Sequence, residues 1–453
     1  MVYERSKGET RRSHLGDVAG AALVAYDDAP STRFHALVST AAAGGQFSDG
    51  YALGTIGIAL SLARDSLHLN AWWLGLLGGA SLAGLFVGSL WLASLADRFG
   101  RRALFVPTMA VFACVAALQF FVTSALELLA FRLILGLVLG IDYVVCSLVV
   151  AEFAPRRSRG RLLSFLVLMW STGYTTAFML GTVLSKTLPE AWRWILASSA
   201  IPALLILLIR LRIPESPLWL VQKGKLEAAR NIITKHCGPN VSLPQITPFA
   251  TAASGSWKEL FGSRFRRRAA VGAVFYTAQV IPYFALSTFI PSVFAALGIK
   301  DSYAAGVAFN AFMLLGAGTG LVVIDRIPRR LFLIGSFYIA ALALIVLGSL
   351  SSKSSGPLVV AAGVFAFVIA AASTLEFAYL PELFPTRLRA KGVGIGTAAS
   401  RIGSALSTFM LPIGMDAFGV RAIIATCVTV LIAGGAFCQW FAPETRGMSI
   451  ELG

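Results

Sequence analysis

Twelve apolar stretches of roughly membrane-spanning length run through this chain, and nothing else in the sequence restricts its fold as strongly. They cover residues 36–63, 72–96, 103–123, 128–152, 161–184, 192–213, 268–296, 302–324, 331–350, 357–380, 392–416 and 420–442. A hydrocarbon core of roughly 30 Å takes about 20 apolar residues in helical form. Helices are also how separate segments satisfy their backbone in lipid. Apolar residues make up 57% of the 453, and mean hydropathy is +0.76, more apolar surface than a soluble chain of this size can hide. The expected fold is an all-α membrane protein with twelve transmembrane helices in two pseudo-symmetric six-helix bundles.

A net charge of +16 raises the possibility of a nucleic-acid partner. Its distribution excludes one. With the amino terminus inside, thirty of the Lys and Arg fall on the tails and loops of that face. Six fall outside (Arg64, Lys186, Arg193, Lys300, Lys353, Arg421), and Arg132 and Arg401 lie within spans. That asymmetry places both termini in the cytoplasm of a multi-pass protein of the cell (inner) membrane. The run Arg264, Arg266, Arg267 and Arg268 reads as a topological anchor on anionic headgroups. Cys114, Cys146, Cys427 and Cys438 fall in spans and Cys237 in the central loop, so neither a disulfide framework nor metal-ligand spacing is present. The first 35 residues lack the apolar core of a signal peptide and read as a mobile cytoplasmic tail.

Charged motifs recur in the loops at an offset constant to within two residues. Asp97, Arg98, Arg101 and Arg102 return as Asp325, Arg326, Arg329 and Arg330. Glu152, Pro155, Arg157 and Arg159 return as Glu382, Pro385, Arg387 and Arg389. Pro214 and Glu215 return as Pro443 and Glu444. One offset at equivalent span ends indicates duplication. The chain divides into a tail (1–35), a first bundle (36–213), a central cytoplasmic loop (214–267), a second bundle (268–442) and a terminal tail (443–453). Duplicated carriers of this kind hold their site between the halves. The loop arginines are placed to pair with Glu152 and Glu382 as latches that form and part as the halves rock; topogenic charge alone is the alternative.

Together these segments resemble the sugar porter and metabolite or aromatic-acid proton symporter branches of the major facilitator superfamily. The resemblance rests on Asp97 to Arg102, on Arg132, Gly136, Gly140, Glu152, Pro155, Arg159 and Gly160, on Pro214 to Pro217 with Leu220, on Glu382 to Thr386, and on Pro443 to Gly447. It spans the whole chain and implies transport by alternating access, with no cofactor beyond a coupling proton. The hexose-type glutamines of sugar porters are absent from the fifth and seventh spans, which read Trp170 to Tyr174 and Tyr276 to Gln279. Asp49-Gly50-Tyr51 and Arg401-Ile402-Gly403 look closer to organic-acid symporters. The family's usual first-span acid position holds Ala52.

Ionisable residues inside a bilayer require a partner or a cavity. Asp49, near the middle of the first span, is the proton-coupling candidate. The resemblance pairs it with Arg132, and Asp142 is either a second carrier, a substrate ligand or a structural partner. Arg401 offers a planar fork suited to a carboxylate, with Ser404 and Thr408 continuing its face as a wetted stripe; the competing reading pairs it with Glu376. Trp170, Tyr174, Tyr276, Gln279 and Tyr283 are candidate cavity residues, joined by Asn310, and Pro282 is expected to open the seventh helix nearby. The expected function is proton-coupled uptake of a small organic or aromatic carboxylate by a monomeric carrier. A sugar or polyol carrier and a non-transporting nutrient sensor are the alternatives, and no catalytic constellation is visible.

Overall fold

The computed structural model describes residues 24–92, 95–244, 256–350 and 355–445. Among them the fold is helical apart from one isolated bridge between Val24 and Val241. The membrane helices are α1 (Arg33–Ala63), α2 (Ala71–Leu90), α3 (Arg102–Phe121), α4 (Ala125–Phe153), α5 (Arg156–Thr187), α6 (Ala191–Arg210), α7 (Arg266–Thr288), α8 (Ser302–Val323), α9 (Arg329–Ser349), α10 (Ser355–Glu382), α11 (Thr386–Phe418) and α12 (Val420–Phe441). Ten are apolar enough by composition to cross a bilayer. The other two, α1 and α11, are the more polar because they carry Gln46, Asp49 and Arg401 into the protein interior, where neighbouring helices replace lipid.

Local chemistry sets the ends. Ser124 and Glu127 form a reciprocal cap at the start of α4, and Thr32 and His35 do the same for α1. Small residues set the packing within each half. A Cβ on Gly136 would lie 2.3 Å from the Ser81 carbonyl oxygen and one on Gly88 2.1 Å from that of Leu137, so α2 and α4 touch backbone to backbone. The second half repeats this between α8 and α10, through Gly316 against Phe367 and Gly320 against Ala371.

Two seams join the halves, α2 with α11 and α5 with α8. Gly75 faces the Phe409 carbonyl and Gly306 faces the Phe178 ring, while the Thr175 hydroxyl donates to the Asn310 carbonyl at 3.3 Å. Ser61 and Tyr303 meet at 3.0 Å and Lys186 lies 3.7 Å from Asp301. All of these contacts lie between mid-membrane and the face opposite the termini.

Three expectations change. The α7 helix runs through Pro282 and breaks seven residues later at Phe289, before a short helix, Ile290–Ala296. The last residues of the amino-terminal tail are docked rather than free: Val24 exchanges backbone hydrogen bonds with Asn240 and Ser242, and Tyr26 donates to the Glu152 carbonyl. The central loop carries helices of its own, Pro217–Gln222, Leu226–His236 and Trp257–Leu260.

Candidate functional site

A cavity lies between the halves. Its walls come from α1 (Gln46, Leu53), α2 (Leu85), α4 (Tyr143), α5 (Trp170, Ser171), α7 (Gln279, Tyr283, Phe284), α10 (Ser373, Glu376, Phe377) and α11 (Arg401). Trp170, Gln279, Tyr283, Glu376 and Arg401 thus meet in one place from distant parts of the sequence. Tyr174, Tyr276 and Asn310 do not line it. Tyr174 stacks beneath Trp170 with centroids 5.5 Å apart, Tyr276 lies beside Glu376 without lining the space, and the Asn310 amide donates to its own helix at Gly306.

Sequence reasoning passed over Gln46, Tyr143, Ser171 and Ser373. Gln46 and Ser373 stand three residues before Asp49 and Glu376, so helical spacing from the chosen acids would have found both. The wetted stripe on α11 is also corrected: Ser404 bonds back to the Arg401 carbonyl, and Thr408 lies against Gly78 in the α2 seam. It packs into the seam on the side opposite the termini instead of lining the cavity.

Arg401 is 6% exposed, and its guanidinium carbon sits 5.0 Å from the Tyr143 ring centroid. Its Nε has no hydrogen-bond partner, and it forms no ion pair with Glu376 among the described residues. Two amide atoms of the wall are also unpartnered, Gln46 Nε2 and Gln279 Oε1. Unmet polar atoms around one cavity are what a polar ligand satisfies.

The charges of the first half are arranged differently from the expectation. Arg132 reaches the Ala52 carbonyl, at 3.4 Å from both terminal nitrogens, and does not pair with Asp49. The position that lacks the family's acid therefore offers its main chain to the arginine. Asp142 pairs with Arg210, which the sequence reading had grouped with the cytoplasmic charges. Arg210 Nη2 reaches Asp142 Oδ2 at 2.8 Å, a second contact joins Nη1 to Oδ1, and both side chains are fully buried. This pair nests against Gly45, where a Cβ would stand 1.9 Å from the guanidinium. Asp49 lies one turn further along that helix face, 1% exposed, with neither carboxylate oxygen bonded.

At the membrane face the loop motifs build one network per half. Gly100 takes φ +111°, and the Arg101 and Arg102 amides donate to Glu215 at 2.9 and 3.2 Å. The Arg101 side chain meets Glu152 at 2.7 Å and Asp97 at 2.8 Å. In the second half Pro328 makes the turn with φ −54°, and the Arg329 and Arg330 amides donate to Glu444, both at 3.0 Å. Arg329 lies 3.1 Å from Asp325 and 3.6 Å from Glu382. Every one of these pairs joins segments of the same half. Arg159 instead binds Asp27 of the docked tail at 2.6 Å, and Arg389 keeps its Nε unpartnered.

Residues 37–452 match the family described as Sugar (and other) transporter. The chain is 38% identical to the inner membrane metabolite transport protein YgcS of Escherichia coli, over 94% of this chain and 95% of that one. It is 25% identical to the niacin transporter NiaP of Acinetobacter baylyi, over 94% and 98%. A structure of the xylose transporter XylE from Escherichia coli, in a partially occluded inward-open conformation, superposes with a TM-score of 0.76 at 21% identity, covering 92% of this chain and 100% of that one.

Proposed function

The chain belongs to the sugar (and other) transporter family of the major facilitator superfamily, and from that premise we propose that it is a proton-driven carrier of a small organic carboxylate. One observation carries the substrate class: Arg401 stands at the cavity wall with a tyrosine ring beside it and no carboxylate partner. A buried guanidinium is costly unless something anionic completes it, and its planar fork matches a carboxylate. Trp170, Tyr283 and Phe284 suit a flat or compact body.

Asp49 is the proton seat in this reading. With Asp142 it makes two carboxylates around one guanidinium, Arg210, which is already paired with Asp142, so an added proton on the unpaired Asp49 neutralises the excess. The termini lie in the cytoplasm of the cell membrane, which makes the tight outer seams those of an inward-facing state of a monomer. Asp97, Arg101, Arg102, Glu152, Glu215, Asp325, Arg329, Glu382 and Glu444 hold each half rigid at the cytoplasmic face while the halves rock; Arg159 ties the tail to the first half.

Counterflow in proteoliposomes tests the reading. Labelled nicotinate or benzoate is expected to exchange, faster uphill accumulation is expected with the interior alkaline, and xylose is expected not to exchange. Arg401→Lys and Arg401→Ala should weaken carboxylate binding by about 2 to 5 kcal/mol, roughly thirty- to several-thousand-fold. A sugar carrier is the second reading, favoured by the unpartnered Gln46 and Gln279 amides and by the family description. Counterflow of xylose alone would establish it.

A further inference from the structure

Arg401 is not the cavity's sole charge. Glu376, half-buried on α10, lines the same space, near enough for each to feel the other's field, yet the two form no ion pair. Each has a tyrosine from a different helix beside it: Tyr143 of α4 at Arg401 and Tyr276 of α7 at Glu376. Opposite charges in a low-dielectric interior gain strongly by meeting. Leaving them unpaired at the wall of an aromatic cavity is favourable when an occupant bridges them.

We infer that the ligand is dipolar, with a carboxylate at Arg401 and a protonated amine or ring N–H donor at Glu376. This rests on the carboxylate reading above and adds the second pole. Gln46 and Gln279 agree with it, because one presents an unpartnered donor and the other an unpartnered acceptor; the two residues are 3% and 2% exposed. A ligand of one sign would satisfy Arg401 and leave Glu376 desolvated beneath it, which disfavours binding. The site thereby ranks dipolar ligands above simple anions such as benzoate, which Arg401 still binds more weakly.

The test uses purified full-length protein in detergent and two matched sets of probes, read by quenching of tryptophan fluorescence. One set is para-aminomethylbenzoate, para-toluate and para-methylbenzylamine. The other is nipecotate, cyclohexanecarboxylate and piperidine. In at least one set the dipolar member should bind about tenfold or more tighter than its anion, the size of one charge-assisted hydrogen bond. Glu376→Gln should erase that advantage while preserving binding of the anion. Glu376→Asp, which keeps the charge and shortens its reach, should reduce it in part and guards against a misfolded amide variant. Equal binding of dipole and anion by the unmodified protein overturns the inference and leaves the carboxylate reading standing. The same holds if the advantage survives Glu376→Gln, or if that variant alters only the pH dependence of uptake, which would make Glu376 a proton site. Failure of every carboxylate probe to bind overturns both.

Discussion

The two halves share a fold and a loop grammar but differ in how they treat buried charge. In the first, the deep ions other than Asp49 are satisfied internally: Asp142 and Arg210 hold each other away from solvent, and Arg132 is spent on a backbone carbonyl. In the second, Arg401 and Glu376 border the cavity and remain apart. Duplication preserved what every half needs at the membrane face, a tight turn tied to the ends of two helices. It did not preserve the interior, where one half encloses an ion pair and the other sets two unpaired charges at the cavity wall.

The largest expected effect breaks this contrast directly. Arg210→Leu strands Asp142 in a dry interior and should cost on the order of 3 to 5 kcal/mol, whereas the double replacement Arg210→Leu with Asp142→Leu should recover most of it. Arg401→Leu, having no ionic partner to strand, should leave the melting temperature in detergent nearly unchanged. Equal losses for Arg210→Leu and Arg401→Leu would erase the distinction between a structural and a ligand-facing cation.

Asp49→Asn follows. The amide mimics the protonated acid, so uphill accumulation should vanish while exchange across proteoliposome membranes continues. Normal accumulation by that variant removes Asp49 as the proton seat and either moves the role to Asp142 or removes proton coupling.

The loop networks allow a finer comparison. Arg101 and Glu152 are 6% and 7% exposed and closely bonded, whereas Glu382 is 29% exposed and 3.6 Å from Arg329. Glu152→Gln should therefore destabilise by roughly 1.5 to 3 kcal/mol and Glu382→Gln by less than about 1. Denaturation midpoints in detergent, measured side by side, would shift equally if the halves were equally braced.

The smallest effect concerns the docked tail. The His236 ring stacks on Phe34 with centroids 4.0 Å apart, and the accompanying loss of solvent, reinforced by Lys235, lowers its pKa below the ordinary histidine value. A depressed pKa means that docking is fully stable above the free histidine value, about 6.5, and weakens as pH falls through the docked one. Hydrogen exchange at the Ser242 amide, corrected for intrinsic rates, should show protection lost on acidification and retained in His236→Phe.

Much of the loop chemistry was visible in the sequence. Asp97 to Arg102 and Asp325 to Arg330 announced equivalent turns, and Glu215 and Glu444 were marked by the same repeat; both accept the amides of those turns. Arg210 was invisible as an interior charge because a residue at the end of an apolar stretch looks like any other flank. The demand for its partner was present all along in Asp142, a mid-span acid that cannot stay alone. Pro282 misled because neighbouring helices can accommodate a proline without breaking its helix.

By itself the sequence determined the twelve helices, their pairing into halves and the residue types available to a site, since hydropathy, periodicity and repetition are local properties that lipid enforces. Which side chains share the cavity was decided by the tertiary structure. A rotation of one helix by a single residue turns a side chain through about 100°, so facing the cavity, as Glu376 and Arg401 do, or lying behind it, as Tyr276 does, depends on packing against glycines and carbonyls from other spans.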